Sequence, residues 1–259
     1  LNIWPKIVCI TNIDADHLDF YGSIENIIST FKEFVAKLPS DGIVIVDLDD
    51  MNSQKVVDGC GKKVINSRDF FDENMKLSVF GEHNRKNASV ALALASIVGI
   101  SNNDAKDALE TFTGTWRRFE YKGKTQSGSI VYDDYGHHPH EILATLNGAR
   151  EAFPDKKLSV VFEPHLYSRT KEHFREFAEM LAKFDRIYLT DIYAAREKFD
   201  SSISSGLLTD EIRKINPNVF YGKSYSDIAN SLKKDSDADD VLITMGAGTI
   251  GELAEMLID

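Results

Sequence analysis

The stretch Thr11-Asn12-Ile13-Asp14-Ala15-Asp16-His17-Leu18-Asp19 gathers carboxylates and an imidazole into one short turn. Hard oxygen donors beside an imidazole suit a divalent cation. A calcium loop of the EF-hand type does not fit, because Leu18 and Asp19 stand where a ligand and a glycine are needed. Further on, Gly81-Glu82-His83-Asn84-Arg85-Lys86-Asn87 crosses from a strand pattern into a helix pattern. A helix N-terminus favours an anion, and asparagine amides can both donate to and accept from the edge of a heterocycle. Plain capping by Asn84 is the competing reading. Tyr132-Asp133-Asp134-Tyr135-Gly136-His137-His138-Pro139-His140 combines carboxylates, aromatics and imidazoles between a strand end and a helix start. Zinc is conceivable there, yet no cysteine or spaced second helix supports it, which favours a substrate or nucleotide turn. The next such junction, Phe162-Glu163-Pro164-His165-Leu166-Tyr167-Ser168-Arg169-Thr170, offers Arg169 as a fork for a carboxylate. Gly246-Ala247-Gly248-Thr249-Ile250-Gly251 spells out a dinucleotide fingerprint, but the acidic residue expected about 20 positions later cannot follow, since the sequence stops at Asp259. Close strand-to-helix packing or a weak anion nest accounts for these glycines better.

Side chains of this kind need strand ends to hold them. Over the second half, β-branched runs alternate with helical periods, so strands are predicted at Ile130–Asp134, Leu158–Glu163, Arg186–Asp191, Asn218–Tyr221 and Val241–Met245. Each is followed by a helix, which implies a parallel sheet with helices on both faces. The first half reads as α/β with less regularity. Ile7–Ile13, Ile43–Leu48, Lys63–Asn66 and Leu77–Phe80 read as strands. A helix carrying Ile24, Ile27, Ile28, Phe31, Val35 and Leu38 on one face follows the capping residue Ser23, and alanine-rich and shorter helices are expected at Arg85–Val98 and Asp104–Phe112. Gly114 to Arg118 is the expected domain junction, and Lys233 to Asp240 is read as a solvated loop.

Composition narrows the function classes. The 259 residues, at about 150 per domain, suggest one large or two medium domains with a real core. With 30 basic and 41 acidic residues the formal net charge is −11, so no general basic field exists for a nucleic acid or an anionic membrane. No apolar run approaches the roughly 20 residues of a membrane span, and no signal peptide opens the chain, which predicts a cytoplasmic protein. Two cysteines, Cys9 and Cys60, are expected as free thiols in a reducing compartment. Oligomeric state is not legible.

Taken together, Thr11 to Asp19, Gly81-Glu82-His83-Asn84, Trp116-Arg117-Arg118-Phe119-Glu120, Asp133-Asp134-Tyr135-Gly136-His137-His138-Pro139 and Pro164-His165-Leu166-Tyr167-Ser168-Arg169-Thr170 resemble, in order and spacing, the bacterial Mur ligases. The resemblance implies an α/β chain: a partial P-loop-type ATPase domain over residues 1–116, then a Rossmann-like doubly wound, mainly parallel-sheet domain over 117–259 that binds the amino acid. It implies ligation of L-alanine to UDP-N-acetylmuramate in peptidoglycan synthesis, with ATP and Mg2+ and through an acyl phosphate. By resemblance His17 would ligate the magnesium, His83, Asn84 and Asn87 would embrace the adenine, Arg118 would reach the phosphates, and Asp134 would serve the ribose side. Tyr135, His137, His165 and Arg169 would line the amino-acid and acyl-phosphate side; Arg118 and His137 are the catalytic candidates alongside His17. Two departures stand out. No G-x-x-x-x-G-K-[ST] loop occurs, so the chain is expected to lack the first part of the ATPase domain and to be inactive alone; and Leu166 replaces a frequent second arginine. A murein-tripeptide recycling ligase of the same family and a non-catalytic nucleotide-binding module are the alternatives.

Overall fold

Residues 2–258 are described by a computed structural model; Leu1 and Asp259, the outer ends of the two expected domains, lie outside the described residues. The chain forms two compact units, one of residues 1–78 with 82–112, the other of residues 79–81 with 113–259. In the first unit β1 (Ile7–Ile10), α1 (Leu18–Tyr21), α2 (Ile24–Ala36), β2 (Ile43–Val46), α3 (Met51–Val57), β3 (Lys63–Asn66), α4 (Glu82–Ile97) and α5 (Asn102–Glu110) follow in order. The strands form a parallel sheet in the order β1-β2-β3. Ser23 caps α2 by accepting from the Asn26 amide, as its position before the apolar stripe predicts. Val8, Ile10, Val44 and Val46 pack with Ile27, Ile28, Val35 and Val56, whereas Ile45 faces the other way and meets Val90 and Ala93 of α4. The pleat's period of two thus gives the sheet two covered faces.

The second unit contains β4 (Glu120–Lys124), β5 (Ile130–Asp134), α6 (Pro139–Ala152), β6 (Lys157–Phe162), α7 (Tyr167–Glu172), α8 (Phe174–Leu181), β7 (Arg186–Leu189), α9 (Ser205–Arg213), β8 (Val219–Tyr221), α10 (Tyr225–Asp235), β9 (Asp240–Met245) and α11 (Gly251–Ile258). Its sheet runs β4-β5-β9-β6-β7-β8, parallel except for the edge strand β4. Alternate residues of each strand serve opposite layers. Tyr132, Val160 and Ile243 join Ile142, Phe177, Leu181 and Leu208 on one face; Val131, Val161 and Leu242 join Ile228, Leu253 and Leu257 on the other. This is a doubly wound arrangement with helices on both faces. The last strand in sequence, β9, lies between β5 and β6, so the carboxyl ends of β5, β9 and β6 come side by side.

The fold differs from the sequence reading in several places: β1 ends at Ile10 and not Ile13, and Lys233–Asp240 is no continuous solvated loop, because α10 extends to Asp235 and the buried Asp240 opens β9. Leu77–Phe80 forms no strand. Its apolar side chains pack instead of pairing: Phe80 meets Phe119 edge-on at 6.3 Å and Phe153 at 6.2 Å, and its backbone runs over Gly148 of α6. The antiparallel strand β4 was not expected, since Glu-Tyr-Lys-Gly-Lys shows no apolar alternation; it is held by backbone pairing to β5. Cys9 and Cys60 are both free.

Candidate active site

The adjacent carboxylates at the end of β5 face different partners. Asp134 is buried, and both its oxygens brace the backbone, Oδ1 accepting from the Gly136 amide at 2.7 Å and Oδ2 from the Phe119 amide at 2.8 Å. Burial pushes its pKa up, opposed by those amides. Asp133 Oδ1 accepts from the Thr244 hydroxyl at 2.7 Å, and Oδ2 accepts from Arg117 Nε, also at 2.7 Å. Arg117 has a buried guanidinium whose other two nitrogens donate to the carbonyls of Gly248 at 2.8 Å and Gly246 at 2.7 Å. The fork therefore spends all three of its nitrogens inside the fold. Arg117 and Phe119 both take left-handed backbone angles, φ 53° and 48°, an uncommon conformation for side-chain-bearing residues that these bonds enforce.

The glycine-rich turn after β9 receives a carboxylate of its own chain. Glu163, at the end of β6 and 3% exposed, accepts from the Tyr225 hydroxyl and faces the amides of Thr249 and Ile250. Burial raises its pKa against those donors. A Cβ on Gly248 would fall 2.0 Å from Glu163 Oε2 and 2.7 Å from Tyr193 Cγ, which explains the glycine by close approach. The turn is thus held between Arg117 on its carbonyl side and Glu163 on its amide side, the close-packing role rather than a dinucleotide site.

Beyond these bracing groups lies a row of rings. Tyr135 and His137 follow β5, their rings 5.6 Å apart; His137 and His165 are 5.9 Å apart; His165 stacks on Tyr193 at 5.8 Å with 15° between planes. The neighbouring His138 faces inward as the N-cap of α6, in a capping box with Glu141 and with Pro139 opening the helix, so adjacent imidazoles have separate duties. Glu141 also accepts from the His137 amide at 2.9 Å. Leu166 adopts φ 69°, bends the chain after His165 and starts α7, whose buried Arg169 places Nη1 3.4 Å from His165 Nδ1. Burial, with His137 and Arg169 nearby, lowers the His165 pKa to about 4, so its ring is neutral near pH 7. Arg118 differs from Arg117: its guanidinium is about half exposed, 3.4 Å from Glu141 Oε1 and 5.6 Å from the Tyr135 ring. The row offers a guanidinium fork, a neutral imidazole and an exposed second arginine, which suits a carboxylate-bearing ligand.

In the first unit, His17 stands past the end of β1 with φ 54° and makes no side-chain capping bond. Its exposed imidazole lies 3.6 Å from Asp16 Oδ2. An imidazole and a carboxylate turned outward fit a cation that takes its remaining ligands from a substrate. The α4 helix begins at Glu82, so Asn84 sits inside the first turn and is not its cap. His83 and Asn87, four residues apart, lie exposed on one helix face with the half-buried Asn84 beside them.

Within the second unit, the structure brings together Arg118, Tyr135, His137, His165 and Arg169 among the expected residues, and turns the Asp134 carboxylate inward. Sequence reasoning assigned no role to Arg117, Glu163 or Tyr193. Tyr193 was findable, because it follows a strand's carboxyl end as Tyr135 and His165 do.

Two family profiles match the chain: the Mur ligase middle domain over residues 2–73, and the glutamate ligase domain of the Mur ligases over residues 117–248. All of the chain aligns at 38% identity with 62% of a UDP-N-acetylmuramate–L-alanine ligase from Caldanaerobacter subterraneus subsp. tengcongensis, and at 37% with 62% of the enzyme of that name from Clostridium acetobutylicum. The chain therefore spans about three-fifths of the length of these curated relatives. Among solved structures, the UDP-N-acetylmuramate–alanine ligase of Thermotoga maritima superposes with a TM-score of 0.75 at 22% identity, over 98% of this chain and 59% of that one. The Thermotoga maritima MurF ligase in complex with ADP gives 0.74 at 20% identity, over 98% and 61%. These two likenesses show the fold. No helix among the described residues is long and apolar enough to cross a membrane.

Proposed function

The chain belongs to the Mur ligase family, and on that premise we propose that it is the later part of a cytoplasmic bacterial ligase joining L-alanine to UDP-N-acetylmuramate. Residues 1–116 would be the remainder of the central ATP-binding domain and 117–259 the amino-acid-binding domain. In the reaction, an oxygen of the lactyl carboxylate bonds to the γ-phosphorus of ATP as the bond to ADP breaks. The amine nitrogen of L-alanine then attacks the acyl carbon, inorganic phosphate leaves, and the nitrogen sheds a proton to give the amide. Charge accumulates on phosphate at each step, so cationic groups and fixed N–H donors are the useful tools.

The observation that carries this reading is the row Tyr135, His137, His165 and Arg169 at neighbouring strand ends, in a chain similar throughout its length to alanine ligases. Arg169 holds the amino-acid carboxylate, and neutral His165 presents a ring beside it without a competing positive charge. His137 and Tyr135 line the acyl side, and Arg118, the outward member of the arginine pair, reaches toward phosphate. Asp134 supports the ribose side through the turn it braces. His83, Asn84 and Asn87 present amide and imidazole edges to the adenine. Asp16 and His17 would hold Mg2+, which when bound neutralises phosphate charge.

The test is incorporation of radiolabelled substrates by the complete ligase. L-Alanine is expected to be joined to UDP-N-acetylmuramate in an ATP-dependent way; labelled murein tripeptide taken up in its place would reject the alanine assignment. The 259-residue chain by itself, without a lysine-bearing phosphate loop, is expected to release no phosphate from ATP.

A further inference from the structure

Tyr193 completes the row of rings, yet it comes from a different strand end than the other members, in the loop that leaves β7. Its position is fixed on three sides. The Tyr193 amide donates to the Pro164 carbonyl at 2.8 Å, and its own carbonyl accepts from the Leu166 amide at 2.9 Å, an isolated parallel bridge that locks the loop to the turn bearing His165. One ring neighbour is the His165 imidazole, stacked on it with nearly parallel planes. Behind the ring lies Gly248, so close that a methyl group there would overlap Cγ. The residue as a whole is still 38% exposed. A large apolar ring that is exposed but cannot retreat is a wall.

We propose that Tyr193 is a specificity-determining residue that sets the upper size of the amino-acid side chain. The proposal rests on the reading that Arg169 and His165 receive the amino acid. Arg169 Nη1 lies 3.4 Å from His165 Nδ1, so a carboxylate held by that guanidinium brings its Cα and side chain alongside the imidazole, and Tyr193 is the next ring in the row. A methyl group can lie against the row; a longer or branched side chain must push a ring whose loop is bridged on one side and backed by main chain on the other. His165, held neutral by burial and by its cationic neighbours, leaves the wall uncharged toward an apolar side chain. Phe199 and Tyr167, another ring pair 5.8 Å apart, lie farther along the same loop and helix.

The experiment measures kcat/KM of the complete ligase for L-alanine, L-2-aminobutyrate and L-valine in the parent, Tyr193→Phe, Tyr193→Leu and Tyr193→Ala. A hydrophobic pocket discriminates by roughly 10- to 200-fold per methylene. Tyr193→Ala is therefore expected to raise the ratio of aminobutyrate or valine to alanine by about tenfold or more, Tyr193→Leu by less, and Tyr193→Phe not at all. A purely structural role would lower all three substrates together and leave the ratio fixed; that result, or an unchanged ratio in folded variants, overturns the proposal. Should Tyr193→Ala fail to fold, the smaller change to leucine decides by the same ratio. A parent enzyme that takes tripeptide and not alanine would refute the functional reading itself, whereas alanine incorporation with an immobile ratio would refute the wall alone.

Discussion

Arg117→Met removes the cation at the centre of the bracing network while keeping most of the side-chain stem. The ion pair with Asp133 is 2.7 Å long, and its two side chains are only 7% and 2% exposed, so water cannot replace the lost partner. Asp133 would keep the Thr244 hydroxyl, but the carbonyls of Gly246 and Gly248 would each lose a donor. Removing one member of a buried pair costs about 3–5 kcal/mol. For a unit of this size that is a fall of roughly 6–20 °C in melting temperature. The assay is thermal and urea unfolding of the chain followed by far-ultraviolet circular dichroism, with the transitions of the two units fitted separately. The partner change Asp133→Leu and the double variant complete a cycle. Because much of the single-variant cost comes from stranding a charge, the double variant is expected to be more stable than Arg117→Met. A loss under about 1 kcal/mol in the single variant, the level of an exposed pair, or strictly additive changes across the cycle, would refute the claim that this pair is buried and coupled.

Further expectations concern the ring row and the first unit. His165 has a folded pKa of about 4 against its ordinary 6.5, so the unfolded chain binds the extra proton between these values. Its contribution to stability is present above pH 6.5 and is lost as pH falls toward 4; melting curves over that window should flatten in His165→Gln, and an unchanged slope would contradict the assigned environment. In the complete ligase, Arg169→Lys should raise the alanine KM about tenfold or more and move the ATP KM much less, since the forked contact is worth roughly 1.5–3 kcal/mol. Equal shifts for both substrates would take Arg169 out of the amino-acid site. His17→Ala should weaken the magnesium dependence of ligation and leave circular dichroism unaltered, because its side chain is exposed and caps nothing; superimposable magnesium titrations would exclude it as a ligand.

Local sequence determined the elements. The short apolar, β-branched run in Leu158 to Glu163 and the capping serines at 23, 101, 204 and 224 act within a few residues, so they are readable without knowing the rest of the chain. The strand-end rule likewise located the turns bearing His17, His137, His165 and Arg169. What failed was pairing and register. Leu77–Phe80 has the composition of a strand, but Phe80 packs against other rings and its backbone joins no ladder; Glu120–Lys124 lacks that composition and is a strand because β5 offers it hydrogen bonds. The bracing network was invisible for the same reason. Arg117 meets Gly246 across 129 positions, and Glu163 enters the glycine turn only because β9 inserts between β5 and β6. Strand order depends on the free energy of packing whole layers, a sum over distant contacts that no local pattern encodes. It alone decided that the apparent dinucleotide fingerprint would enclose a carboxylate of its own chain, and that Tyr193 would stand beside His165.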